Sequence, residues 1–369
     1  MSQQKITISD EMLMQKEVMD LLKLQRKYRK KKIINVNIKL FFAIWFLIIN
    51  IFFIIFVFPK FYFFDPRSIS EDNEKNGLGI TEAPGIVEYN GKYYEYNKDI
   101  VNILFIGMDN DVTKITSPEQ TVTHGGQADV LILLSMDTRN KTFFLFNIVR
   151  DSMTDISVYD TERNYVRNEV VQIAAAHAYG DGGTFSARLT EKAVADLLSG
   201  IKIYRYIRFN VNGIIKAADL FGGVTVTLRQ DMKILNQTYK AGRRITMDGK
   251  QTENYLRQRD MNVLTSSVDR AERHIDFMKA LFPQAKNKIL KNPLSLFNIY
   301  GQLGEYINTN LSPPELNYVL QTINETGFEI DRILSVPGEM KMGEKFAEYI
   351  VDRAELYDII IKAYYLPLS

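Results

Sequence analysis

A long uncharged apolar segment near the start of the chain most constrains what the chain can form. Residues 40–58 read LFFAIWFLIINIFFIIFVF, and Asn50 is the single polar side chain among them. A helix of this length spans roughly 28 Å, which is close to the thickness of the hydrocarbon core of a membrane. The sequence therefore predicts a transmembrane helix over residues 40–58.

The charges before this segment predict its orientation. Residues 1–39 contain a dense basic run that ends in RKYRKKK and Lys39. Basic segments remain on the cytoplasmic side of a membrane, so residues 1–39 are expected in the cytoplasm and the main domain outside the cell. A cleaved signal peptide is the competing interpretation. It fits less well because the apolar run is long for a signal peptide and no small-residue cleavage site follows it. The predicted location is a cell membrane that the chain crosses once, with a signal-anchor.

The composition of the chain and the positions of its proline and glycine residues predict how the extracellular part is organised. The formal net charge is +2 and the chain has no cysteine, so disulfides cannot hold the domain together and a hydrophobic core must do so. The polar, Pro- and Gly-containing stretch around residues 65–85 suggests a linker, and residues 59–98 are assigned to an extracellular stalk. Residues 99–285 are predicted to form the catalytic domain, and residues 286–369 a helical C-terminal part packed on the same domain.

Short apolar runs alternate with amphipathic segments through this domain. Strands are predicted at residues 102–106, 130–135, 142–147, 203–209 and 224–228. Helices are predicted at residues 184–198, 211–221, 266–282, 294–309, 313–326 and 346–365. This alternation is typical of an α/β fold in which a mixed β-sheet is sandwiched by helices.

Five arginines are arranged in a way that could bind phosphate. Arg257 and Arg259 are two residues apart and would share one face of an extended segment, and Arg270 and Arg273 share one face of a helix. Arg150 follows a strand, where α/β sheets commonly build their sites. Converging guanidinium groups would bind a pyrophosphate bidentately. From spacing alone the simpler alternative is favoured, in which these are solvated arginines paired with neighbouring acidic residues.

Aspartates accompany these arginines. Asp109 follows the first predicted strand, Asp129 begins the second, and Asp151 is next to Arg150. Carboxylates at strand ends beside phosphate-binding arginines are ligands that Mg²⁺ prefers, although turns also recruit aspartate for local reasons. His177 and the glycines that follow it could approach a phosphate, but a glycine-rich turn without that role is the simpler interpretation. No Walker loop, dinucleotide fingerprint or zinc spacing is present in the sequence.

Six stretches in order resemble the LytR-CpsA-Psr family of membrane-anchored cell-wall glycopolymer ligases. They are NILFIGMD (102–109), ADVLILLSMDTRNKTFFLFNIVRD (128–151), IAAAHAYGDGG (173–183), YIRFNVNGIIKAADLFGGVTVTL (206–228), MDGKQTENYLRQR (247–259) and VDRAERHIDFMKALF (268–282). The resemblance implies a phosphotransferase that moves an undecaprenyl-pyrophosphate-linked glycan, such as teichoic acid or capsule, to peptidoglycan or another wall acceptor. It also implies a long apolar pocket for the carrier lipid and Mg²⁺ as cofactor.

The resemblance assigns roles to residues of this chain by matching motifs. It implies catalytic roles for Arg150, Asp151, Arg257 and Arg259, pyrophosphate binding by Arg150, Arg257, Arg259, Arg270 and Arg273, and metal binding by Asp109 and Asp129.

The chain also departs from the family pattern. Gln127 stands where the family pattern has an arginine, and Gln172 where it has a lysine. His274 stands where it has a glutamine, and Val149 where it has a proline. The pattern also has an aspartate close to the position of Ser267. Other cations, namely Arg163, Arg167 or Arg188, are candidates to compensate. The alternative is a catalytically degenerate relative that binds polyprenyl phosphate or glycopolymer as a scaffold or sensor. A role in DNA binding is disfavoured because only residues 1–39 could reach DNA, and a basic run there is explained by topology.

Overall fold

The computed structural model of the protein describes residues 85–108, 125–160, 162–260, 263–291, 295–326 and 333–368, with a few isolated positions before residue 65. The chain divides into two compact units, Met1–Phe64 and Asp65–Ser369. The predicted membrane helix at residues 40–58 lies outside the described residues, apart from Phe46. In the described ranges, no helix has both the length and the hydropathy needed to cross a membrane.

A six-stranded mixed sheet forms the centre of the second unit. Its strands, in spatial order, are β13 (Ile307–Thr309), β8 (Arg205–Asn210), β3 (Ile100–Met108), β4 (Ala128–Asp137), β5 (Thr142–Ile148) and β14 (Ile333–Ser335). Strands β3, β4 and β5 pair antiparallel, whereas β8 runs parallel to β3 and β14 runs parallel to β5. The mixed sheet predicted from the sequence is confirmed.

Helices flank the sheet on both faces. They are α1 (Ala175–Ala178), α2 (Thr184–Leu197), α3 (Val211–Leu220), α4 (Gly249–Arg257), α5 (Ser266–Lys291), α6 (Ser295–Leu303), α7 (Pro313–Thr326) and α8 (Arg353–Tyr364). Every residue of β3 is buried, which is why this segment is an almost uninterrupted apolar run in the sequence. On one face, Leu104, Ile106, Leu131 and Leu133 join the main hydrophobic core with residues of α2 and α8.

The remaining strands form small accessory sheets. These strands are β1 (Ile86–Tyr89), β2 (Lys92–Tyr96), β6 (Met153–Tyr159), β7 (Tyr165–Gln172), β9 (Val224–Thr227), β10 (Met232–Ile234), β11 (Gln237–Tyr239), β12 (Arg244–Met247), β15 (Gly338–Met342), β16 (Ala347–Val351) and β17 (Tyr365–Pro367). Two of the accessory sheets are the antiparallel hairpins β6–β7 and β15–β16.

The start of the domain differs from the predicted stalk over residues 59–98. Residues 86–96 form the hairpin β1–β2, and β17 at the end of the chain pairs antiparallel with β2. Tyr96 is buried and its ring packs edge-on against Tyr365. Residues 86–98 therefore belong to the folded domain, which was not predicted because the partner strand β17 is more than 250 residues away in the chain.

The C-terminal part is less helical than predicted. Residues 346–365 are not one helix, because β16 occupies their first part and α8 begins only after Asp352, which caps it. Strand β14 joins the central sheet, so residues 286–369 contribute strands as well as helices. These strands are only three to five residues long, which leaves too short a pattern to detect, and β13 and β14 pair with segments far away in the sequence. Helix α5 also continues past Pro283 to Lys291, whereas the sequence predicted that this helix ends at residue 282.

Candidate functional site

Three strand ends meet at one edge of the central sheet. Strand β3 ends at Met108, β4 begins at Ala128 and β5 ends at Ile148. Because β3, β4 and β5 alternate in direction, the end of β3, the start of β4 and the end of β5 lie at the same edge. The predicted site residues Asp129 and Arg150 therefore come together here. Asp109 lies outside the described residues.

Asp129 sits on a β-bulge. Gly107 pairs with Val130 and Met108 pairs with Ala128, so Asp129 has no partner on β3. A bulge re-aims a side chain, and such irregularities are common beside active sites. Gly107 allows the close approach of the two strands, because a Cβ atom there would lie 2.7 Å from the Cβ of Val130. The bulge directs the Asp129 carboxylate to the edge of the sheet, where it meets two arginines.

Arg150 and Arg270 both contact the Asp129 carboxylate. Arg150 Nη1 forms a short ion pair with Asp129 Oδ1, and Arg270 Nη2 lies 3.4 Å from the same oxygen. All three side chains are largely buried. Gln127 Oε1 accepts a hydrogen bond from Arg150 Nη2. The glutamine that replaces a family arginine therefore orients Arg150 instead of supplying a second charge.

Asp151 is the second carboxylate of this cluster. Its Oδ1 lies 3.4 Å from Arg150 Nε, and the residue is only 3% exposed. Its Oδ2 is buried and has no hydrogen-bond partner among the described residues. A buried carboxylate oxygen without a partner is costly, and such groups concentrate where a ligand or a reaction needs them.

The R-x-R pair is divided between two cavities. Arg257 is the last residue of α4, and the chain leaves the helix at Gln258, so the two arginines do not share one face as an extended segment would require. Arg257 lines a small pocket of about 400 Å³ together with Asp129, Arg270 and His274. We call this the phosphate pocket. Arg259 instead lines a separate cleft with Arg150 and Asp151.

Arg273 has a different position from the one predicted. Its Nε donates to the carbonyl oxygen of Tyr255 at 3.1 Å, and its Nη2 donates to that of Gln258. These bonds satisfy carbonyl groups at the end of α4. Arg273 thus ties α4 to α5 and orients the segment that carries Arg257 and Arg259, and it lines neither of the two cavities.

His274 is neutral in this environment. Burial, followed by the charges of Arg270 and Arg273, lowers the pKa of the His274 imidazole to about 3. The histidine therefore resembles the glutamine of the family in being uncharged at neutral pH. It adds no cation to the phosphate pocket.

This shift predicts an acid-dependent loss of stability. The unfolded chain protonates His274 near pH 6.5, whereas the folded chain resists protonation to about pH 3, so this stabilisation is complete above pH 6.5 and is lost as the pH falls. Urea unfolding at pH 7 and pH 4.5 should show that the free energy of unfolding falls less in His274→Gln than in the wild type, by about 2–3 kcal/mol. Equal losses in the two proteins would contradict the assignment of a neutral buried histidine.

A large apolar pocket adjoins the phosphate pocket. It encloses about 840 Å³ between the sheet and helices α3, α5, α6 and α7, and Ile214 lines both pockets. Its walls include Phe105, Phe209 and Phe221. Further wall residues come from α5, namely Phe277, Met278, Leu281 and Phe282. We call this the lipid pocket for its chemistry, since walls of this kind accept an apolar chain.

The glycine-rich turn after His177 is used within the fold. His177 Nδ1 contacts the carbonyl oxygens of Gly125 and Gly126 at 2.8 and 3.0 Å, and burial lowers its pKa to about 4. The amide of Gly182 donates to Ser186 Oγ, and the amide of Gly183 donates to Asp181 Oδ1. These groups fix the loop before Gln127, which agrees with the simpler interpretation of the turn.

The proposed compensating cations lie elsewhere. Arg188 forms a buried ion pair with Glu191 at 2.8 Å, Arg167 contacts Glu169, and Arg163 lies 3.4 Å from Asp181. Gln172 is the last residue of β7, and Arg167 precedes it by five residues, so Arg167 lies about 16 Å from that end of the strand. Arg163 comes still earlier in the chain. None of the three lines the phosphate pocket or the neighbouring cleft.

Gln172 and Ala174 hold the site together through hydrogen bonds. Gln172 Nε2 donates to the carbonyl oxygen of Ala347 at 2.8 Å, which ties β7 to β16. Ala174 N–H donates to the Arg150 carbonyl oxygen, and its own carbonyl oxygen accepts from Ala128 N–H, both at 3.1 Å. The main chain of the buried Ala174 therefore bridges Arg150, just after the end of β5, and Ala128, at the start of β4. No sequence signal indicated this role, which depends on main-chain atoms.

The donor set at the phosphate pocket is compatible with magnesium. Asp129 offers carboxylate oxygens at the pocket wall. Mg²⁺ is commonly bound through one or two carboxylates and completes its shell with waters and substrate phosphates. Among the described residues no group of three or more His, Cys, Asp or Glu side chains could hold a metal alone.

Comparison with known proteins agrees with this architecture. The model of the LytR_cpsA_psr family matches residues 68–362. A polyisoprenyl-teichoic acid–peptidoglycan teichoic acid transferase, TagU of Oceanobacillus iheyensis, is 27% identical over 252 residues, which cover 66% of this chain and 70% of TagU. Biofilm regulatory protein A of Streptococcus mutans is 29% identical over 133 residues, or 36% of this chain and 30% of that protein.

Solved structures share the fold. TagV of B. subtilis aligns with a TM-score of 0.54 and 21% identity, covering 72% of this chain and 96% of TagV. A structure of TagT bound to LI-WTA aligns with a TM-score of 0.52 and 19% identity, covering 72% of this chain and 89% of TagT. The match of the family model over most of the chain, together with the shared fold, shows that this protein belongs to the LytR_cpsA_psr family.

Proposed function

We propose that the protein is a transferase that moves a glycopolymer from a polyprenyl-pyrophosphate carrier to peptidoglycan or another cell-wall acceptor. One observation carries the proposal: a cluster of arginines and aspartates lies where an apolar pocket opens at the edge of the sheet. A lipid pyrophosphate has this combination of an apolar chain and a concentrated negative charge. The names of the relatives support the same chemistry.

The lipid pocket is the proposed site of the polyprenyl chain. Its described walls are almost entirely aliphatic and aromatic, and Ile214 lies where it meets the phosphate pocket. Burial of apolar surface contributes roughly 25 cal/mol per Å², so several isoprene units would anchor the carrier strongly. The pyrophosphate would then lie beside Asp129, Arg257 and Arg270.

The arginines are the proposed pyrophosphate ligands. Arg150, Arg257 and Arg270 lie around the phosphate pocket or contact Asp129 at its wall, and Arg259 approaches from the cleft. Guanidinium groups bind phosphate oxygens bidentately and stabilise charge that develops during phosphoryl transfer. In the structure, Asp129 neutralises part of this charge. An incoming pyrophosphate would share Arg150 and Arg270 with it.

The reaction breaks the phosphoanhydride bond of the pyrophosphate and forms a phosphodiester to the acceptor. A hydroxyl oxygen of the acceptor forms a bond to the phosphorus that carries the glycan, and the bridging bond to the lipid phosphate breaks. Polyprenyl phosphate leaves with the electron pair. We propose that Asp129 and Asp109 hold a magnesium ion that would lower the charge on the breaking bond. The energy is stored in the pyrophosphate, so the reaction needs no ATP.

The proposed location follows from the sequence. Residues 40–58 would anchor the chain in the cell membrane with the N-terminus in the cytoplasm, and the main domain would lie outside the cell beside carrier lipids in the same membrane.

The alternative of a catalytically degenerate scaffold depends on Gln127. We expect Gln127→Arg to raise kcat/KM for a polyprenyl-pyrophosphate substrate about tenfold, because it adds a cation beside Arg150. Gln127→Leu is the matched control: it removes the hydrogen bond to Arg150 without adding charge and should lower kcat/KM. Turnover by Gln127→Arg and not by the wild type would support the alternative that the natural protein is a scaffold without catalytic activity. No gain over Gln127→Leu would contradict the role given to this position.

The proposed function is tested by turnover of a carrier-linked glycan. Full-length protein in detergent is incubated with a polyprenyl-pyrophosphate disaccharide, with and without Mg²⁺, and polyprenyl phosphate is measured by mass spectrometry. We expect metal-dependent release that is lost in Asp129→Asn. Tight binding of the carrier without release under any condition would contradict the enzyme assignment and favour the scaffold.

A further inference from the structure

We infer that two copies of this protein associate through strand β7 (Tyr165–Gln172), which pairs antiparallel with β7 of the second copy. The inference goes beyond the proposed transferase function and does not depend on it. Strand β7 belongs to the hairpin β6–β7, and among the described strands it pairs with β6 alone. Its other edge therefore offers main-chain donors and acceptors to a further strand. We call this edge the β7 edge.

The side chains of β7 are exposed to an unusual extent. Val166 is 50% exposed and Val170 is 66% exposed, and they share one face of the strand with Asn168 because strand residues alternate between faces. Natural edge strands are commonly protected by lysine, proline or a bulge. Strand β7 contains neither lysine nor proline, and its pairing with β6 is regular from Arg167 to Gln172. The β7 edge is therefore well suited to pair with another strand.

The sequence of β7 is complementary to itself in the antiparallel direction. In a pair of β7 strands centred on Asn168, Arg167 of each copy lies opposite Glu169 of the other, and Val166 of each lies opposite Val170 of the other. Opposite charges and β-branched residues stabilise a sheet when they lie directly across from each other. This register thus contains two charge pairs and two valine pairs, which identifies a second copy of the chain as the partner.

The charged groups are placed to form a network. Within one strand, Arg167 Nη2 lies 2.9 Å from Glu169 Oε2, so the two groups lie on the same face of the strand. Pairing of two strands centred on Asn168 would place four charges in a ring in which the sign alternates. Networks of this kind contribute more than isolated surface ion pairs.

Neighbouring registers are disfavoured by like charges. Residues that exchange hydrogen bonds across an antiparallel pair must both direct their main-chain groups outward, so the centre of the pair moves by whole residues. A pair centred on Arg167 would bring two arginines together, and a pair centred on Glu169 would bring two glutamates together. The register centred on Asn168 is therefore favoured. Because both copies use the same surface, the contact closes as a two-fold dimer and does not extend into a filament.

Sedimentation velocity of the full-length protein in detergent tests the dimer. One strand pair is a small interface, so we expect reversible association with a dissociation constant in the micromolar range. Arg167→Glu should weaken association at least tenfold, and the double variant Arg167→Glu/Glu169→Arg should restore it to within threefold of the wild type, because the charge pairs are exchanged and kept. Arg243→Glu makes the same charge change at an exposed turn between β11 and β12 and is the matched control.

Two results of this experiment would overturn the inference. The first is a monomer at every concentration up to about 200 μM, well above the expected dissociation constant; this includes the case in which the exposed valines contact lipid or detergent. The second is a dimer that Arg167→Glu leaves intact, which would place the association on another surface.

Disulfide cross-linking tests the register. The chain has no cysteine, so Asn168→Cys introduces a single thiol. In the proposed register this thiol lies opposite its own copy, at a spacing that a disulfide can bridge, and we expect covalent dimers after mild oxidation. Val166→Cys is the matched control, because its two copies would lie about 13 Å apart along the strands. A mixture of Val166→Cys and Val170→Cys should cross-link. Equal cross-linking of Val166→Cys and Asn168→Cys, or none of Asn168→Cys, would overturn the register.

Discussion

Replacing Arg150 with alanine should lower the rate of transfer on the order of 100- to 1,000-fold, the usual effect of removing one charge-stabilising donor from an active site. Arg150 contacts Asp129, which lines the phosphate pocket, and Asp151, and it lines the neighbouring cleft. It is the side chain best placed to contact the reacting phosphate from both sides. Initial rates with a polyprenyl-pyrophosphate disaccharide measure the effect.

Two further variants separate catalysis from folding. Removing Arg150 leaves the buried Asp151 without its cationic partner, while Asp129 keeps Arg270, and loss of one partner of a buried ion pair destabilises a protein by about 3–5 kcal/mol. Arg150→Lys keeps the charge and should lose an intermediate amount of activity, because lysine cannot bind phosphate bidentately. Arg163→Ala, at an exposed arginine, is the control and should retain full activity. Wild-type activity in a folded Arg150→Ala protein would contradict the proposed site.

Replacing Ile214 with tryptophan should abolish binding of the long-chain carrier. Ile214 lies where the lipid pocket meets the phosphate pocket, so a larger ring there would block the passage between them. Each buried carbon is worth about 0.8 kcal/mol, so losing even four of the roughly ten carbons in two isoprene units costs about 3 kcal/mol, and we therefore expect affinity to fall at least 100-fold. Titration of the protein with polyprenyl pyrophosphate measures the loss.

A short-chain substrate provides the comparison for this variant. A pyrophosphate with a single isoprene unit does not need the lipid pocket, so Ile214→Trp and the wild type should bind it about equally. Lys216→Trp, at an exposed position of the same helix, is the matched control and should bind both substrates normally. Equal loss of affinity for the long and short substrates would contradict the assignment of the lipid pocket.

The central sheet could be predicted because its strands are apolar and continuous. Residues 102–106, 130–135 and 142–147 lie within β3, β4 and β5, each of which is largely buried. Strand ends that meet at one edge brought Asp129 and Arg150 together, as expected. The bulge that turns Asp129 to this edge could not be predicted, because it depends on the close packing of Gly107 against Val130.

The arginines show where spacing is an uncertain guide. Arg257 and Arg259 were expected on one face, but α4 ends between them and sends them to different cavities. The helix itself could have been recognised, since Asp248 and Gln251 form a capping box at its start. The role of Arg273 depends on which carbonyl groups α4 leaves without partners, and this information exists only in the folded structure.

The hairpin β15–β16, which contributes to the cleft beside the phosphate pocket, had no detectable sequence signal. It follows Pro337, and its main chain is hydrogen-bonded to Asp151 and Gln172, nearly two hundred residues earlier in the chain. The membrane helix shows the opposite case. Its prediction depends on residues 40–58 alone, and it stays a prediction because those residues lie outside the described part of the chain, apart from Phe46.

The fate of the glycan-side phosphate tests the central claim most directly. A polyprenyl-pyrophosphate disaccharide with ³²P in the phosphate next to the sugar is incubated with full-length protein, Mg²⁺ and peptidoglycan fragments. Transfer predicts that the label appears in a phosphodiester on the acceptor and that unlabelled polyprenyl phosphate is released. Label that stays with the lipid, or that appears only as free sugar phosphate or inorganic phosphate, would contradict the proposal that this protein is a glycopolymer transferase.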